Sequence, residues 1–219
     1  MKSLSSREWL FLTFIFIYSF IPTFGGLLRV GELLSGLAMI PENPRAIAQP
    51  LPILLHIVSS FCFCLFGALQ FLPTMRRHRI GLHRKIGKVV AIAGCVSALT
   101  GLWMTIAFTF PAELQGPLLY WVRIIMSILM IVLIAWAVFL ICRGDITKHS
   151  SGMIRAYAIG QGASTQTAFG IFFLIIMGEE AVGFPRDILM VSAWALNLLI
   201  VEVIIQSMRT KKAGVRFIA

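Results

Sequence analysis

Six long runs of the chain contain almost no charged side chain, and they constrain the fold more than any other feature. The runs cover about residues 9–28, 51–73, 89–110, 118–142, 156–177 and 188–208. Each matches the roughly 20 residues that an α-helix needs to cross the ~30 Å hydrocarbon core of a bilayer. The alternation of a membrane β-barrel is not seen in these runs. The sequence therefore predicts an all-α integral membrane bundle of six transmembrane helices, with residues 1–219 forming a single transmembrane domain.

The composition excludes several classes of protein. Apolar residues are 58% of the chain and charged residues 13%, and the mean hydropathy is +0.90. A soluble domain carries about 25% charged residues, so a soluble enzyme, a secreted disulfide scaffold and a disordered tail are excluded. The net charge of +10 is typical of nucleic-acid-binding proteins, but the cations flank apolar spans rather than forming a basic domain, so no nucleic-acid partner is predicted. Phosphate-binding and hydrolase motifs are not present, which disfavours hydrolytic activity.

The distribution of Lys and Arg predicts the orientation. Of the 19 such residues, fifteen flank the helix ends that share a side with both termini, and Arg123 lies in a span. The opposite side has three, namely Arg29, Arg45 and Arg186. Because cytoplasmic loops are enriched in Lys and Arg, we expect both termini in the cytoplasm. This predicts a multi-pass protein of the cytoplasmic (inner) membrane, whose basic face contacts anionic lipids.

Four titratable residues near the outer ends of the spans predict a polar pocket. Arg123 and His56 lie within otherwise uncharged runs, and Arg29 and Glu32 follow the first run. Ionisable groups at membrane depth are candidates for a functional site, so these four are the candidate substrate pocket. The alternative is that the arginines reach outward to lipid headgroups and that His56 satisfies helix backbone.

Two histidines at the inner face predict a second candidate site. His83 and His149 precede the third and fifth spans at the same depth, and histidines from two helices can ligate a haem b iron from both sides. Arg84 and Arg155 would then hold the haem propionates, and a quinone could occupy the same place. In the alternative interpretation both histidines are loop residues beside lipid phosphates. Glu202, in the sixth span, is predicted to pair with an inner cation such as Arg155.

The fifth span is unusually polar for a membrane helix. It contains Gln161, Ser164, Thr165, Gln166 and Thr167. Small and amide side chains let membrane helices pack closely and hydrogen-bond one another. The span is therefore either a central packing helix or a helix that lines a cavity.

A series of short motifs resembles a known family. The motifs are Leu55-His56, Gly67-Ala-Leu-Gln-Phe71, His83-Arg84 with Gly87, Gly101-Leu-Trp-Met104, Gly116-Pro-Leu-Leu-Tyr120 with Arg123, and Met153-Ile-Arg-Ala-Tyr-Ala158. Together they resemble a bacterial family of predicted membrane proteins, domain of unknown function 2306, from about the second span to the sixth. The family pattern has an aromatic residue between the histidine and Met-Ile-Arg, and the stretch His149–Arg155 lacks it. The resemblance implies a multi-helix membrane protein and supplies no activity and no catalytic residues.

Three functions are compatible with these features. The first is a redox role with one haem b or a quinone near the cytoplasmic face. The second is a transporter or small-molecule binding protein with an outward-facing polar pocket. The third is a non-catalytic accessory subunit that associates with partner membrane subunits. Whether the protein is an enzyme is left open by the sequence.

Overall fold

The computed structural model describes residues 3–216, and the side chains of residues 3–210. The predicted inner cation Lys2 lies outside the described residues, as do the side chains of the predicted inner cations Lys211, Lys212 and Arg216. Six long helices form the bundle: α1 (Ser6–Ser35), α2 (Pro50–Gln70), α3 (Ile80–Ala107), α4 (Pro117–Cys142), α5 (Ile146–Met177) and α6 (Gly183–Arg216). Two short helices, Pro44–Ala48 and Pro73–His78, precede α2 and α3.

The fold class is confirmed by this architecture. Within the described residues there is no strand, and all six helices are long and apolar enough to cross a membrane. Several helices extend beyond their uncharged runs: α3 begins at Ile80 rather than at Val89, and α5 begins at Ile146 rather than at Ala156. These extra turns carry charged residues to the membrane surface, where helix can continue in water. The cytoplasmic location of the termini stays a prediction.

Local sequence explains where the helices begin. Ser5 and Glu8 form a capping box at the start of α1, in which each side chain accepts a hydrogen bond from the other's backbone N–H. Proline opens α2 and α4, a position where its missing N–H costs nothing and its fixed φ suits a helix. At the start of α5 the Asp145 side chain accepts a hydrogen bond from the Lys148 N–H at 2.9 Å, which lowers the pKa of this carboxyl.

The distribution of polar residues in the bundle is that of a membrane protein. Large apolar side chains face outward, as Ile17 on α1 and Ile175 on α5 show with 67% and 74% exposure. Polar side chains are buried between the helices, including Ser19, Ser97 and Asn197. In lipid the outer surface has to be apolar, and interior hydroxyls and amides hydrogen-bond across helices.

Two helices are irregular at the same level of the bundle. Residues Cys62–Phe66 of α2 form a π-helical turn, and α5 consists of two α-helical segments, Ile146–Gly160 and Gly162–Met177, that meet at Gln161. The irregular segments touch, because the Tyr157 hydroxyl donates to the Cys64 carbonyl at 2.7 Å. At the break, Trp194 Nε1 donates to the Ile159 carbonyl at 3.1 Å and fills the space where a Cβ on Gly162 would lie.

Gln161 is the centre of a hydrogen-bond network at this break. Its Oε1 accepts from the Ser19 hydroxyl of α1 at 3.1 Å and from the Ser164 hydroxyl at 2.9 Å, and its Nε2 donates to the Tyr157 oxygen at 2.9 Å. A second hydrogen bond runs from the Thr165 hydroxyl to the Asn197 side-chain oxygen of α6 at 2.7 Å. The network explains part of the polarity of the fifth span, since Gln161 and Thr165 serve helix packing.

Candidate functional site

A cavity of about 420 Å³ lies between the six helices, above the irregular segments of α2 and α5. All six helices contribute to its wall, and the loop residue Phe110 contributes at the end that is predicted to face outward. Its polar lining consists of an imidazole, a guanidinium, hydroxyls and an amide, from Ser19, Thr23, His56, Ser60, Ser97, Thr105, Arg123, Ser127, Ser164 and Gln166. No Asp or Glu is among the described residues that line it. The cavity is therefore apolar in most of its wall, with one cation and many hydrogen-bonding groups.

His56 of α2 is held by α3 through one ring nitrogen. Its Nδ1 lies 2.9 Å from the Ser97 carbonyl oxygen and 3.2 Å from the Thr100 hydroxyl. A carbonyl oxygen accepts and cannot donate, so Nδ1 carries the hydrogen and Nε2 of the neutral ring is an acceptor. Among the described residues Nε2 has no hydrogen-bond partner. The ring is thus fixed in place with one nitrogen left for a molecule in the cavity.

Arg123 of α4 lines the same cavity without an acidic partner. Its Nη1 donates to the Gln115 side-chain oxygen, and its guanidinium lies 5.2 Å from the centre of the Phe110 ring. Arg45 contacts the same ring, 4.7 Å from its centre. Among the described residues, Arg123 forms no ion pair. Its charge contacts an amide oxygen and an aromatic ring and interacts with the Asp187 carboxylate without forming an ion pair, so two more donor groups of the guanidinium remain for a ligand.

The structure divides the four residues of the predicted outer pocket into two pairs. His56 and Arg123 line the cavity together, whereas Arg29 and Glu32 are not part of its lining. Arg29 forms an ion pair with Glu32, one turn further along α1, and donates from Nη2 to the Pro41 carbonyl at 2.6 Å. These contacts connect the end of α1 to the loop before α2, so the pair has a structural role in the described arrangement.

Asp187 was not singled out by the sequence, yet it organises the outer end of the bundle. Its buried carboxylate, on α6, accepts hydrogen bonds from the Gly116 and Leu119 N–H groups at 3.0 and 3.1 Å. It therefore caps the start of α4 from another helix and offsets the positive end of that helix dipole. The available signal was weak: Gly116-Pro117 begins a helix without a capping side chain of its own. Gln115, the partner of Arg123, carried no signal at all.

The polar fifth span serves the cavity as well as the packing. Ser164 and Gln166 line the cavity, and Gln166 is held by a bond from its Nε2 to the Met190 carbonyl at 3.1 Å. Thr167 instead donates to the Ala163 carbonyl of its own helix. The fifth span is therefore both a packing helix and a helix that lines the cavity.

At the inner end, the structure places the two predicted haem histidines at equivalent positions. His83 and His149 each lie in the first turn of their helix, α3 and α5, and they are close enough for their charges to interact. His149 Nδ1 bonds the Ala137 carbonyl of α4 at 2.9 Å, while His83 Nδ1 is buried with no partner among the described residues. The described residues contain no cluster of three or more His, Cys, Asp or Glu that could hold a metal ion.

The two arginines assigned to the propionates differ in availability. Arg155 is engaged by Glu202, with Nε donating to Oε1 and Nη2 donating to Oε2 at 2.8 Å. This is the ion pair that the sequence predicted for Glu202. Arg84 lies on the exposed surface of α3. A ligand of the histidines would thus compete with Glu202 for Arg155.

Comparison with known proteins identifies the family. Residues 53–205 match a family model described as predicted membrane protein (DUF2306). The chain belongs to this family. The match begins within α2 and ends within α6, so it includes His56, Arg123 and both irregular segments. No curated protein and no solved structure matches the chain. The family description gives a membrane protein and no activity.

Proposed function

We propose that the protein binds a small organic anion in the central cavity and that this binding is a step of transport across the membrane. The observation that carries the proposal is Arg123, a cation without an ion-pair partner in a cavity whose described lining has no carboxylate. His56 lines the same cavity, and its Nε2 becomes a donor to the anion once the ring takes up a proton. The proposal is a form of the predicted transporter or small-molecule binding protein. It takes the outer pocket to consist of His56 and Arg123, without Arg29 and Glu32.

Electrostatics favours an anion over a neutral molecule. An arginine within a membrane is unfavourable unless it is paired or solvated. At an effective dielectric constant of about 20, a unit anion 4 Å from the guanidinium gains about 4 kcal/mol. Carboxylates suit the planar guanidinium, which can donate two parallel hydrogen bonds to them. Arg45, beside the same Phe110 ring, adds positive potential at the mouth.

The irregular helices support transport rather than storage. In many transporters, binding sites near the membrane midplane are built where helices are interrupted, and π-helical turns are frequent at functional sites. Here Cys64 of the π-helical turn and Gly160 at the α5 break both line the cavity, and they lie on the side of it that faces the inner end. A change at this joint opens the cavity inward in the proposed mechanism.

Binding can be tested with hexanoate as the probe anion. The full chain is placed in phosphatidylcholine nanodiscs, and its thermal unfolding is followed with increasing hexanoate. We expect the midpoint to rise for the wild type and for Arg143→Gln, and to stay constant for Arg123→Gln. Arg143 is a matched control because it lies at the other end of α4, with its guanidinium 5.3 Å from the Phe139 ring centre. An equal rise in all three proteins would contradict the proposed site.

Transport can be separated from simple binding by thiol accessibility. In a variant that keeps Cys64 and replaces the other three cysteines by serine, a membrane-impermeant thiol reagent is applied to right-side-out and to inside-out vesicles. A transporter exposes Cys64 to each side in turn, so labelling is expected in both preparations, with hexanoate slowing it. Labelling from one side alone would indicate that the protein binds the anion without transporting it, and would contradict the transport part of the proposal.

The inner histidines support a second candidate, a haem b site. The contact of His149 Nδ1 with Ala137 leaves its Nε2 available, and His83 has a buried nitrogen without a described partner. A quinone at the same place would use these nitrogens as hydrogen-bonding groups. Protein expressed with added haem should show a Soret band that is lost in His83→Ala and in His149→Ala if haem binds. A colourless wild-type protein would eliminate the haem candidate.

The orientation and the membrane are further parts of the proposal. We infer that the inner end faces the cytoplasm of a cytoplasmic membrane, where anionic lipids contact the exposed cations of the segment between α2 and the first turns of α3, namely Arg76, Arg77, Arg84, Lys85 and Lys88. A cysteine introduced at Ser3 should react with an impermeant reagent in inside-out vesicles, whereas one at Gly183 should react in intact cells. The reverse pattern would contradict the orientation.

A further inference from the structure

A second, smaller cavity opens on the lipid-facing side of α1 and α2. It has a volume of about 160 Å³, and its surface is almost entirely apolar. The apolar side chains that line it are Phe16, Phe20, Phe24, Leu27, Phe61 and Leu65. We call this space the α1–α2 groove. It lies at the depth of the hydrocarbon, where a chain of methylene groups is the material that fills a groove.

The α1–α2 groove adjoins the central cavity. Ser19, Thr23 and Phe61 line both spaces. Phe61 is the apolar member of this shared set and therefore stands at the boundary. A molecule in the central cavity thus has a route along Phe61 to the lipid, between α1 and α2.

The wall between the two spaces is built from a helix with few buried residues. Of the residues of α1, Glu8, Ile15 and Ser19 are buried, and the rest of this helix is more exposed. Pro22 lies inside α1 and lines the central cavity at this level. A proline within a helix removes one backbone hydrogen bond and weakens the helix locally. The backbone of α1 is thus weakened beside the groove at Pro22, one turn beyond the bond from Ser19 to Gln161.

We propose that the anion is amphipathic, a long-chain carboxylate whose headgroup lies at Arg123, with His56 protonated beside it, and whose chain leaves through the α1–α2 groove. This inference rests on the proposed function and specifies its substrate class. The two spaces together match the two parts of such a molecule, since the central cavity supplies a cation and hydrogen-bonding groups and the groove supplies apolar surface. An annular lipid that fills the groove without a headgroup in the cavity is the competing occupant.

The test compares two carboxylates that differ in chain length. Binding of radiolabelled hexanoate and hexadecanoate is measured with the full chain in phosphatidylcholine nanodiscs. Leu27→Trp fills the groove, because Leu27 lines the groove but not the central cavity. Ile17→Trp is the matched control: Ile17 is on the same helix, faces lipid at 67% exposure and lines neither space. Far-ultraviolet circular dichroism and thermal unfolding check that each variant is folded.

We expect hexadecanoate to bind the wild type more tightly than hexanoate. Leu27→Trp should weaken hexadecanoate binding about tenfold, the effect of displacing roughly two methylene groups from apolar contact. The same variant should leave hexanoate binding unchanged, and Ile17→Trp should change neither. Arg123→Gln should weaken the binding of both acids.

The contrary outcomes separate this inference from the proposed function. Arg123-dependent hexanoate binding with no gain from the longer chain would overturn the inference and leave the proposed function intact. A chain-length effect that Leu27→Trp removes but Arg123→Gln does not touch would identify an annular lipid and overturn the inference. If neither acid binds, both proposals fail.

Discussion

Arg123 and Arg155 both lie on membrane-spanning helices, but their side chains have different kinds of partner. Arg155 of α5 gives two hydrogen bonds to the Glu202 carboxylate of α6. Arg123 of α4 has a neutral amide oxygen from Gln115 and an aromatic ring from Phe110. A charge that is paired with an opposite charge needs no ligand to neutralise it. Arg123 has no counter-ion in contact with it and therefore retains attraction for an anion, which is why it is the better functional candidate.

The same contrast separates the two polar regions beside α5. Around Gln161, side-chain donors and acceptors are matched to one another, so this region stabilises the fold. In the cavity above it, His56 keeps a nitrogen and Arg123 keeps donors without a described partner. Polar side chains inside a membrane bundle therefore indicate a functional site mainly where their charges or hydrogen-bonding groups lack partners. Substitutions in the two regions test this distinction, and the largest effect on stability is expected at the matched network.

The matched network should be the most sensitive to substitution. Gln161→Leu leaves the buried hydroxyls of Ser19 and Ser164 without their acceptor and Tyr157 without a donor. Unsatisfied buried groups cost about 1–3 kcal/mol each, so we expect a loss of about 3 kcal/mol in the free energy of unfolding. The control is Gln166→Leu on the same helix, which removes one bond to the Met190 carbonyl and should cost about 1 kcal/mol. Both are measured by unfolding in mixed detergent micelles, and equal losses would contradict the distinction.

Removing one partner of the matched ion pair should have the next largest effect. Arg155→Gln leaves the Glu202 carboxylate without its cation, and we expect a loss of about 2 kcal/mol, below the value for fully buried pairs because both side chains are partly exposed. The double variant Arg155→Gln with Glu202→Gln should recover part of this loss. A double-mutant cycle in the same micelles measures the coupling. Additive losses would show that the pair does not stabilise the protein.

The same substitution at Arg123 should cost far less. Arg123→Gln removes a cation that has no acidic partner among the described residues, so the free energy of unfolding without ligand should change by less than about 1 kcal/mol. The unfolding of Arg123→Gln is compared directly with that of Arg155→Gln in the same micelles. A loss as large as that of Arg155→Gln would place Arg123 among the structural charges.

The fold could be predicted from the sequence because its cause is local. Each span is a long uncharged run, and hydrocarbon thickness fixes the length that such a run needs. The pairing of Glu202 with Arg155 was also predictable, since an intramembrane carboxylate requires a cation and the inner end offers several. These inferences depend on depth along the membrane normal, which the sequence records directly.

The lateral arrangement of side chains could not be predicted in the same way. Arg29 and Glu32 are neighbours one turn apart on α1 whatever the rotation of this helix, but that rotation decides that Arg29 contacts the Pro41 carbonyl instead of lining the cavity. Asp187 caps α4 from a helix that lies 68 or more residues away in sequence. The π-helical turn at Cys62–Phe66 has no proline to mark it. Each of these features depends on which helices are neighbours, and a single sequence does not record that.

The smallest expected effect on stability, with a measurable effect on binding, is at His56. His56→Asn places an amide donor near the Ser97 carbonyl, where Nδ1 now donates, and removes the ring nitrogen that has no described partner. Because the bond to the backbone is retained, the free energy of unfolding should change by less than about 0.5 kcal/mol. A carboxylate only accepts hydrogen bonds, so Nε2 contributes one to the bound anion when the ring takes up a proton. If that bond is worth about 1 kcal/mol, hexanoate binding should weaken about fivefold. Isothermal titration in nanodiscs measures this, with Thr100→Val as the control, because Thr100 contacts Nδ1 and is not part of the cavity lining. The same affinity in His56→Asn as in the wild type would restrict the unmatched site to Arg123.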